Sequence, residues 1–274
     1  MSVAVLPHPP VTTTTPTGTE YLSWSRIRSF RDCPKLFYYR YIAKVPAERV
    51  PAALPFGGVF HQAIELVTEA RLAGRGLPSL ETLLAEYDRA WAESTSNGPP
   101  VAFAKGEDAK SLRETASRML EAYREFSQSE KSEIIAIEHE ARFAVAGVPI
   151  VARLDSVERR GEDLLVTDVK TSKSRYGETK ILESVGQTVL YSHAAVELLR
   201  ALGARRIVPR FVVVTKGKSP VVQVIEPPVG REDAQRVREL VADAHQAISA
   251  GAFPRNESWR CARCPFADKC LGKK

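Results

Sequence analysis

The sequence predicts a mixed α/β fold in which a β-sheet core is flanked by helices. Helical periodicity dominates the chain up to about residue 130, and alternating β-rich segments begin near Glu133. The strands then come as a run of three, followed by a helix, a second pair of strands and a last helix. This order favours a layered mixed fold over a doubly wound βαβ repeat.

The first half of the chain is predicted to be helical. Ser23 or Ser25 can cap a helix that places Ile27 and Phe30 on one face, and Pro34 suits the first turn of a short second helix. Three longer helices are predicted at about 59–73, directly after a Gly-Gly pair, at 80–94 and at 109–127. An Asn-Gly-Pro-Pro loop at 97–100 separates the last two.

The second half carries the predicted strands. Turn signals at 147–149 and 160–163 divide a three-strand meander. The predicted segments are strands at 134–146, 149–159 and 163–171, a helix at about 181–202, strands at 206–215 and 221–225, and a helix at 231–250.

Composition and charge narrow the class of protein. The chain of 274 residues is 44% hydrophobic and 26% charged, as a globular protein is. Its 39 basic and 33 acidic side chains give a net charge of +6, which permits a polyanionic partner. No uncharged apolar run approaches the roughly 18 residues of a membrane span, so no membrane partner is expected. Residues 1–20 are Thr/Pro-rich and lack a basic leader, so we predict a disordered tail, no secretory signal and a cytoplasmic protein.

Two acidic residues and a lysine form the first candidate site. Asp168 and Lys170 are two positions apart on a predicted strand and therefore share a face. A hairpin that turns at 160–163 would bring Asp155 close to Asp168. Two such carboxylates repel each other unless a cation lies between them, and oxygen ligands favour Mg²⁺ or Mn²⁺. Lys170 could then assist the attack of water on a phosphodiester. The alternative is a surface Asp–Lys pair at a strand edge.

Two helical pairs are candidates for the same site. His61 and Glu65 share a helix face, and His61 could complete the metal shell through a ring nitrogen. Glu65 could be the ligand instead, or both could be ordinary packed or surface residues. Gln187 and Tyr191 are also four positions apart, and they could reach a nucleic-acid backbone or base. The alternative is that Tyr191 is a core residue and Gln187 a surface one.

Basic and aromatic residues suggest a nucleic-acid surface. Lys173 and Arg175 follow the strand of Asp168 and add positive charge where a phosphate would lie. Tyr38, Tyr39 and Tyr41 stand among the basic residues of the N-terminal helices. Such a combination is typical of channels for single-stranded DNA.

The four cysteines of the chain form one pattern. Cys261, Cys264 and Cys270 read C-x2-C-x5-C, and Cys33 lies far upstream. Four thiolates can hold a [4Fe–4S] cluster or a structural Zn²⁺. The missing second C-x2-C pair argues mildly against a zinc ribbon, and two disulfides are a third alternative. A metal here would link the C-terminal segment to the N-terminal helix.

Taken together, these motifs resemble the RecB-like branch of the PD-(D/E)XK nuclease superfamily. The likeness is greatest to its iron–sulfur members, which include AddB-type nuclease domains and CRISPR adaptation nucleases. It spans nearly the whole chain outside the tail. The motifs occur in the order of that family: S-x4-F-x2-C-P around Cys33, His61 on a helix after glycines, Asp155, Asp168-Val-Lys170, Gln187-x3-Tyr191 and the C-x2-C-x5-C ending.

The resemblance implies a fold and its parts. The expected fold is restriction-endonuclease-like, within a single nuclease domain at 21–274. A helical insertion at about 72–130 would cap or wall a DNA channel. The cysteine cluster would tie the C-terminal segment to the N-terminal helix. Ala152 and Ser156 stand where the family often has Gly and Arg, which leaves the local DNA contacts undefined.

The resemblance also implies roles for the candidate residues. The metal ligands would be His61, Asp155, Asp168 and the carbonyl of Val169. Asp155, Asp168 and Lys170 would be catalytic, with Lys170 assisting the attacking water. Gln187 and Tyr191 would contact DNA near the cleaved bond, and Cys33, Cys261, Cys264 and Cys270 would hold a [4Fe–4S] cluster, with Zn²⁺ as the alternative occupant.

The expected function is therefore a Mg²⁺- or Mn²⁺-dependent deoxyribonuclease, expected to be an exonuclease. Its substrates would be single-stranded DNA or DNA ends, in repair, recombination or a mobile-element setting. No helicase motif is found, so unwinding would come from a helicase or another repair partner. One alternative is a CRISPR-adaptation nuclease that trims captured DNA. The other is a non-catalytic DNA-binding scaffold with a four-cysteine metal site.

Overall fold

The helices and strands of the computed structural model are described for residues 21–272. The predicted tail at 1–20 lies outside the described residues. The helices are α1 (Trp24–Asp32), α2 (Pro34–Phe37), α3 (Ala53–Leu72), α4 (Leu80–Ser96), α5 (Ala109–Ser129), α6 (Glu178–Ala194), α7 (Val196–Ala201), α8 (Arg231–Ser249) and α9 (Ala267–Leu271). The strands are β1 (Val50–Pro51), β2 (Val101–Ala102), β3 (Glu133–Val145), β4 (Val148–Arg160), β5 (Asp163–Ser172), β6 (Arg206–Thr215) and β7 (Val222–Ile225). A π-helical turn (Tyr38–Ile42) follows α2, and a 3₁₀ turn (Trp259–Arg263) precedes α9.

Within the described residues, the strands β3 to β7 form one five-stranded sheet in sequence order. The β5–β6 pair is parallel and the other pairs are antiparallel. Helix α6 makes the crossover that a parallel pair requires. The predicted meander and the mixed α/β class are thus confirmed, and each bound of β3 to β7 lies within one residue of its predicted position.

The sheet is covered by helices on both faces. On one face, α3, α4 and α5 pack over Val169, Val212 and Val214 of β5 and β6. On the other face, Ala194 and Ala195 close a cluster with side chains of β4 and β5. Branched apolar residues on both faces explain why β5 and β6 read as nearly continuous hydrophobic runs. No helix in the described part of the chain is long and apolar enough to cross a membrane.

Two helix predictions were wrong in detail. Helix α3 begins at Ala53, so Gly57 and Gly58 lie inside it and do not precede it. Pro55 is compatible with this earlier start because first-turn N–H groups have no helical acceptor. The predicted helix at 181–202 is two helices, α6 and α7, which meet at the fully buried Ala195.

The C-terminal segment packs against the N-terminal helices, as predicted. The side-chain amide of Asn256 donates to the carbonyl oxygen of Asp32 at 3.1 Å. The ring of Phe253 stacks on that of Phe37, with their centroids 6.2 Å apart. These contacts bring Cys33, which caps the end of α1, next to the C-x2-C-x5-C segment.

Candidate active site

Strands β4 and β5 separate at the acidic pair. Their ladder ends where Ser156 pairs with Thr167. Beyond this point the carboxylate of Asp155 takes the place of a strand partner, since its Oδ2 accepts a 2.8 Å hydrogen bond from the Val169 N–H. Asp155 therefore lies beside Asp168 and Val169 of β5. Burial, and then the nearby charge of Asp168, raise the pKa of Asp155 well above its usual value.

Asp168 is held by residues from two elements. It is 3% exposed, and its Oδ1 accepts hydrogen bonds from Lys170 Nζ at 2.9 Å and Gln187 Nε2 at 2.8 Å. The Tyr191 hydroxyl lies 3.3 Å from the same oxygen. Asp168 Oδ2 is 2.7 Å from Lys170 Nζ, but the angles are not those of a hydrogen bond, and this oxygen has no such partner among the described residues. A buried carboxylate oxygen without a hydrogen bond is suited to receive a cation.

Lys170 interacts with both carboxylates. Burial acts to lower the pKa of its ammonium, but the charges of Asp168 and Asp155 outweigh burial and raise it. Lys170 therefore stays protonated at neutral pH. Its side chain is partly exposed, so the ammonium can meet a group that enters from solvent.

His61 is the helical residue that reaches this site. Its Nδ1 lies 3.5 Å from Asp155 Oδ2, and the imidazole also bonds the backbone of Val169. Burial is the main cause that lowers the pKa of His61, which favours the neutral, ligand-competent imidazole. Glu65, one turn further along α3, lines a different cavity together with Glu69 and other residues of α3 and α4.

These groups fit a hard divalent cation. Two close carboxylates share the ammonium of Lys170; the pKa of Asp155 is still raised, and one oxygen of Asp168 accepts no hydrogen bond from the described residues, so a divalent cation would supply the positive charge that the pair still needs. His61 and the Val169 backbone border the same space. Between residues 21 and 272, no group of three or more His, Cys, Asp or Glu side chains is already arranged as a metal shell. Asp168 instead bonds Lys170 and Gln187.

The acidic pair lies in a cleft of about 670 Å³. One wall is the start of α1, with Trp24, Arg26 and Arg28, and Arg153 extends it from β4. Three arginines around a carboxylate pair make an entrance suited to an anionic substrate. The sequence motifs did not indicate Arg153, although it is two positions from Asp155 and so belongs to the same strand face.

The other predicted residues are distributed unevenly. Gln187 and Tyr191 are in the cleft, where Gln187 Nε2 also donates to the Tyr191 hydroxyl at 2.8 Å. Lys173 and Arg175 are exposed on the segment after β5 and are not part of the cleft lining. The predicted insertion at 72–130 contributes none of the described side chains that line this cleft; α4 and α5 pack on α3 instead.

The four cysteines line one small cavity of about 30 Å³ between α1 and the C-terminal segment. All four thiols are free. The Ser258 N–H donates to Cys261 Sγ at 3.5 Å. Burial, and then the other three cysteines, raise the pKa of Cys264 against a lowering contribution from the Phe266 N–H. The four thiols thus share one cavity, their thiolate forms repel one another, and one sulfur accepts an N–H hydrogen bond. This environment fits a metal group bound by thiolates, because a cation would offset the repulsion.

Comparison with known proteins finds one family model and two solved structures that are similar to this chain. The family model of the PD-(D/E)XK nuclease superfamily matches residues 21–271. A solved structure of a candidate exonuclease from Eubacterium rectale is similar, with a TM-score of 0.56, 12% identity, and coverage of 93% of this chain and 88% of that one. A second, the protein designated SSO0001, has a TM-score of 0.35, 15% identity, and coverage of 91% and 96%. No protein of curated function matches the sequence significantly.

The mixed sheet, its flanking helices and the carboxylate pair define a restriction-endonuclease-like nuclease. The chain belongs to the PD-(D/E)XK nuclease superfamily.

Proposed function

We propose that this chain is a Mg²⁺- or Mn²⁺-dependent deoxyribonuclease that acts on single-stranded DNA or DNA ends. The observation that carries the proposal is the position of Asp155, Asp168 and Lys170 together in an arginine-lined cleft. The cleft offers acidic groups for a cation and basic groups for a phosphate. A surface Asp–Lys pair would not need Gln187 and Tyr191 to hold the aspartate from a neighbouring helix.

The metal would be held by His61, Asp155, Asp168 and the carbonyl of Val169. When bound, a divalent cation supplies Lewis-acid polarisation of the phosphate and lowers the pKa of water. Asp155 and Asp168 would need to be ionised to bind it, so its affinity should rise with pH. Mg²⁺ and Mn²⁺ match the oxygen-rich donor set.

The protein side chains would orient the substrate and the water. Lys170 stays protonated, so its ammonium can donate to an attacking water or to the phosphate and offset developing negative charge. Arg26, Arg28 and Arg153 would neutralise the DNA backbone at the cleft. Gln187 and Tyr191 hold Asp168, and in the proposal they also face the DNA near the cleaved bond.

Lys173 and Arg175 are proposed as outer DNA contacts. Both side chains are exposed beyond the end of the catalytic strand, where they can reach phosphates that have left the cleft. An exonuclease that degrades a single strand separated from a duplex would act in repair, in recombination or in a mobile element. In that setting a helicase or another repair protein would supply the strand.

Cys33, Cys261, Cys264 and Cys270 are proposed to hold a [4Fe–4S] cluster, with Zn²⁺ as the alternative. The support is their common cavity and all-thiol chemistry. The group would fasten the C-terminal segment to α1, whose first turn lines the cleft. A reducing cytoplasm would keep the thiols available.

Cleavage of end-labelled single strands, duplexes and closed circles with each divalent metal tests the proposal. Wild type should degrade DNA only with metal, and Asp168→Asn should be slower by a factor of 100 or more, in line with the loss of an essential catalytic group. Asp163→Asn, at the other end of β5 where Asp163 pairs with Arg206, is the matched control. DNA binding without cleavage under any divalent metal would instead favour a scaffold.

A further inference from the structure

A second surface, outside the catalytic cleft, has the chemistry of a nucleic-acid site. It surrounds a cavity of about 320 Å³ between the end of α1, the start of α3 and the C-terminal 3₁₀ turn. We call it the Trp259 surface and define it by Arg40, Leu54, Trp259, Arg260 and Arg263. None of these residues belongs to the lining of the catalytic cleft.

Trp259 is unusually accessible. Its side chain is 77% exposed, the highest value among the large hydrophobic side chains of the described residues. Leu54, 58% exposed, lies at the same cavity. Two large exposed apolar side chains share one accessible cavity, which makes this place a candidate contact surface.

Positive charge surrounds the indole. Arg40, Arg260 and Arg263 are all exposed at this cavity, and Asp32 is the acidic residue that lines it. The guanidinium carbon of Arg260 lies 5.3 Å from the Trp259 ring centroid. Its ion pair with Asp32 is long, at 3.5 Å, and partly exposed. An accessible indole among arginines suits unpaired bases and phosphates, because bases stack on aromatic rings and arginines neutralise the backbone.

Helix α1 connects this surface with the cleft. Trp24 and Arg28 in its first turns line the cleft, while Asp32 at its last turn lines the Trp259 cavity. Nine helical residues span about 13 Å, which corresponds to about four nucleotides at a stacked spacing of 3.4 Å. A strand that leaves the cleft along α1 therefore needs about four further nucleotides to pass the helix toward the cavity of Trp259.

We propose that the Trp259 surface binds single-stranded DNA that extends from the cleft along α1, with an unpaired base stacked on the indole. The inference rests on the proposed nuclease function for the identity of the ligand. It assigns to the C-terminal segment a direct part in holding the substrate, in addition to its link with the cysteines.

The direct test measures binding of the full chain to labelled oligo(dT) of 3 to 16 nucleotides in EDTA, where no cleavage occurs. Wild-type affinity should rise steeply once the strand is long enough to span both sites, because the second contact becomes intramolecular. Trp259→Ala should weaken binding of the longest strand about 5- to 100-fold, as loss of one stacking contact does. Trp259→Phe should retain part of the affinity, and Leu182→Ala, another exposed apolar residue, should bind like wild type.

A second measurement needs no variant. Ultraviolet irradiation of wild type with oligonucleotides that carry 5-iododeoxyuridine should cross-link the peptide containing Trp259.

A third measurement tests the arginines. Arg263→Gln should reduce the slope of log affinity against log salt by about 0.7, the value for one phosphate contact on a single strand. Unchanged affinity of Trp259→Ala together with no cross-link at this peptide would overturn the proposal.

The two proposals fail in different ways. If wild type never cleaves DNA but Trp259→Ala still loses affinity for single strands, the catalytic proposal fails and this surface stands. If wild type cleaves DNA with metal but Trp259→Ala binds every strand like wild type and no cross-link forms at the Trp259 peptide, only this surface is refuted.

Discussion

The indole of Trp24 lies against the backbone of Gly186, so closely that a Cβ at that position would overlap the ring. Trp24 begins α1 and lines the cleft, whereas Gly186 precedes Gln187 on α6. The contact sets the basic helix beside the residues that hold Asp168. Glycine is required here by close approach between two helices and not by its backbone angles.

Gly186→Ala should therefore destabilise the protein and reduce cleavage. The added methyl must displace Trp24, and overpacking of this kind costs about 1–3 kcal/mol of the free energy of unfolding. Gly58→Ala is the matched control, since Gly58 is also helical and a Cβ there meets nothing within 4 Å. That control should stabilise the chain by about 0.5–1 kcal/mol. Denaturant unfolding and initial cleavage rates measure both; equal stability of Gly186→Ala and wild type would refute the packing argument.

Gln187→Ala should lower kcat by about 10- to 100-fold, with a smaller change in KM. The reason is that Gln187 donates to a buried carboxylate, and a hydrogen bond to a charged group contributes about 1.5–3 kcal/mol. Ser192→Ala, on the same helix with a hydroxyl that bonds only the Thr188 carbonyl, is the control. A rise in KM with unchanged kcat would show instead that Gln187 acts as a DNA contact alone.

Glu158→Gln should destabilise the fold by about 1.5–3 kcal/mol at neutral pH, the range for loss of a hydrogen bond between charged groups. Glu158 Oε1 accepts from Arg210 Nη2 at 2.6 Å, and the two side chains are 2% and 4% exposed. The change therefore removes one of the two carboxylates that pair with this buried guanidinium, and Glu130 remains as the other. Arg89→Ala, which breaks an exposed ion pair on α4, should have little effect. Thermal unfolding of both variants provides the comparison.

The same carboxylate predicts a dependence of stability on pH. Burial acts to raise the pKa of Glu158, but Arg210 and the hydroxyls around it outweigh burial and lower it. The unfolded chain therefore binds more protons, so this contribution is present above the unfolded pKa of about 4.3 and is lost as the pH falls through the lower folded value. Denaturant unfolding of wild type and Glu158→Gln from pH 3 to pH 7 should show a smaller acid loss in the variant. Parallel curves would contradict the assigned shift.

Cys264→Ser should remove the metal group and lower the melting temperature. Anaerobically purified wild type is expected to be brown and to contain iron and sulfide, whereas the variant should be colourless. Ala262→Ser, an exposed neighbour in the same turn, should keep its metal. A colourless wild type with one zinc per chain would refute the cluster and leave the nuclease proposal intact.

Local sequence patterns determined much of the fold. Alternation and turn residues placed β3, β4 and β5 within a residue or two, because one buried face and short turns fix a meander almost without reference to the rest of the chain. The spacing of Asp168 and Lys170 likewise fixed their common face. Helix α3 was less predictable, since Gly57 and Gly58 lie inside it for packing reasons that no local pattern expresses.

The tertiary structure decided which of the candidate residues meet. The sequence by itself predicted the hairpin that brings Asp155 to Asp168, but it left open whether His61 or Glu65 turns to that pair. Only the packing of α3 on the sheet places His61 there. Arg153 lines the cleft and Lys173 does not. Which of them lies there depends on how the helices pack on the sheet, and that packing involves residues far apart in the sequence. Spacing along a chain defines faces of single elements, whereas a site is made where several elements pack together.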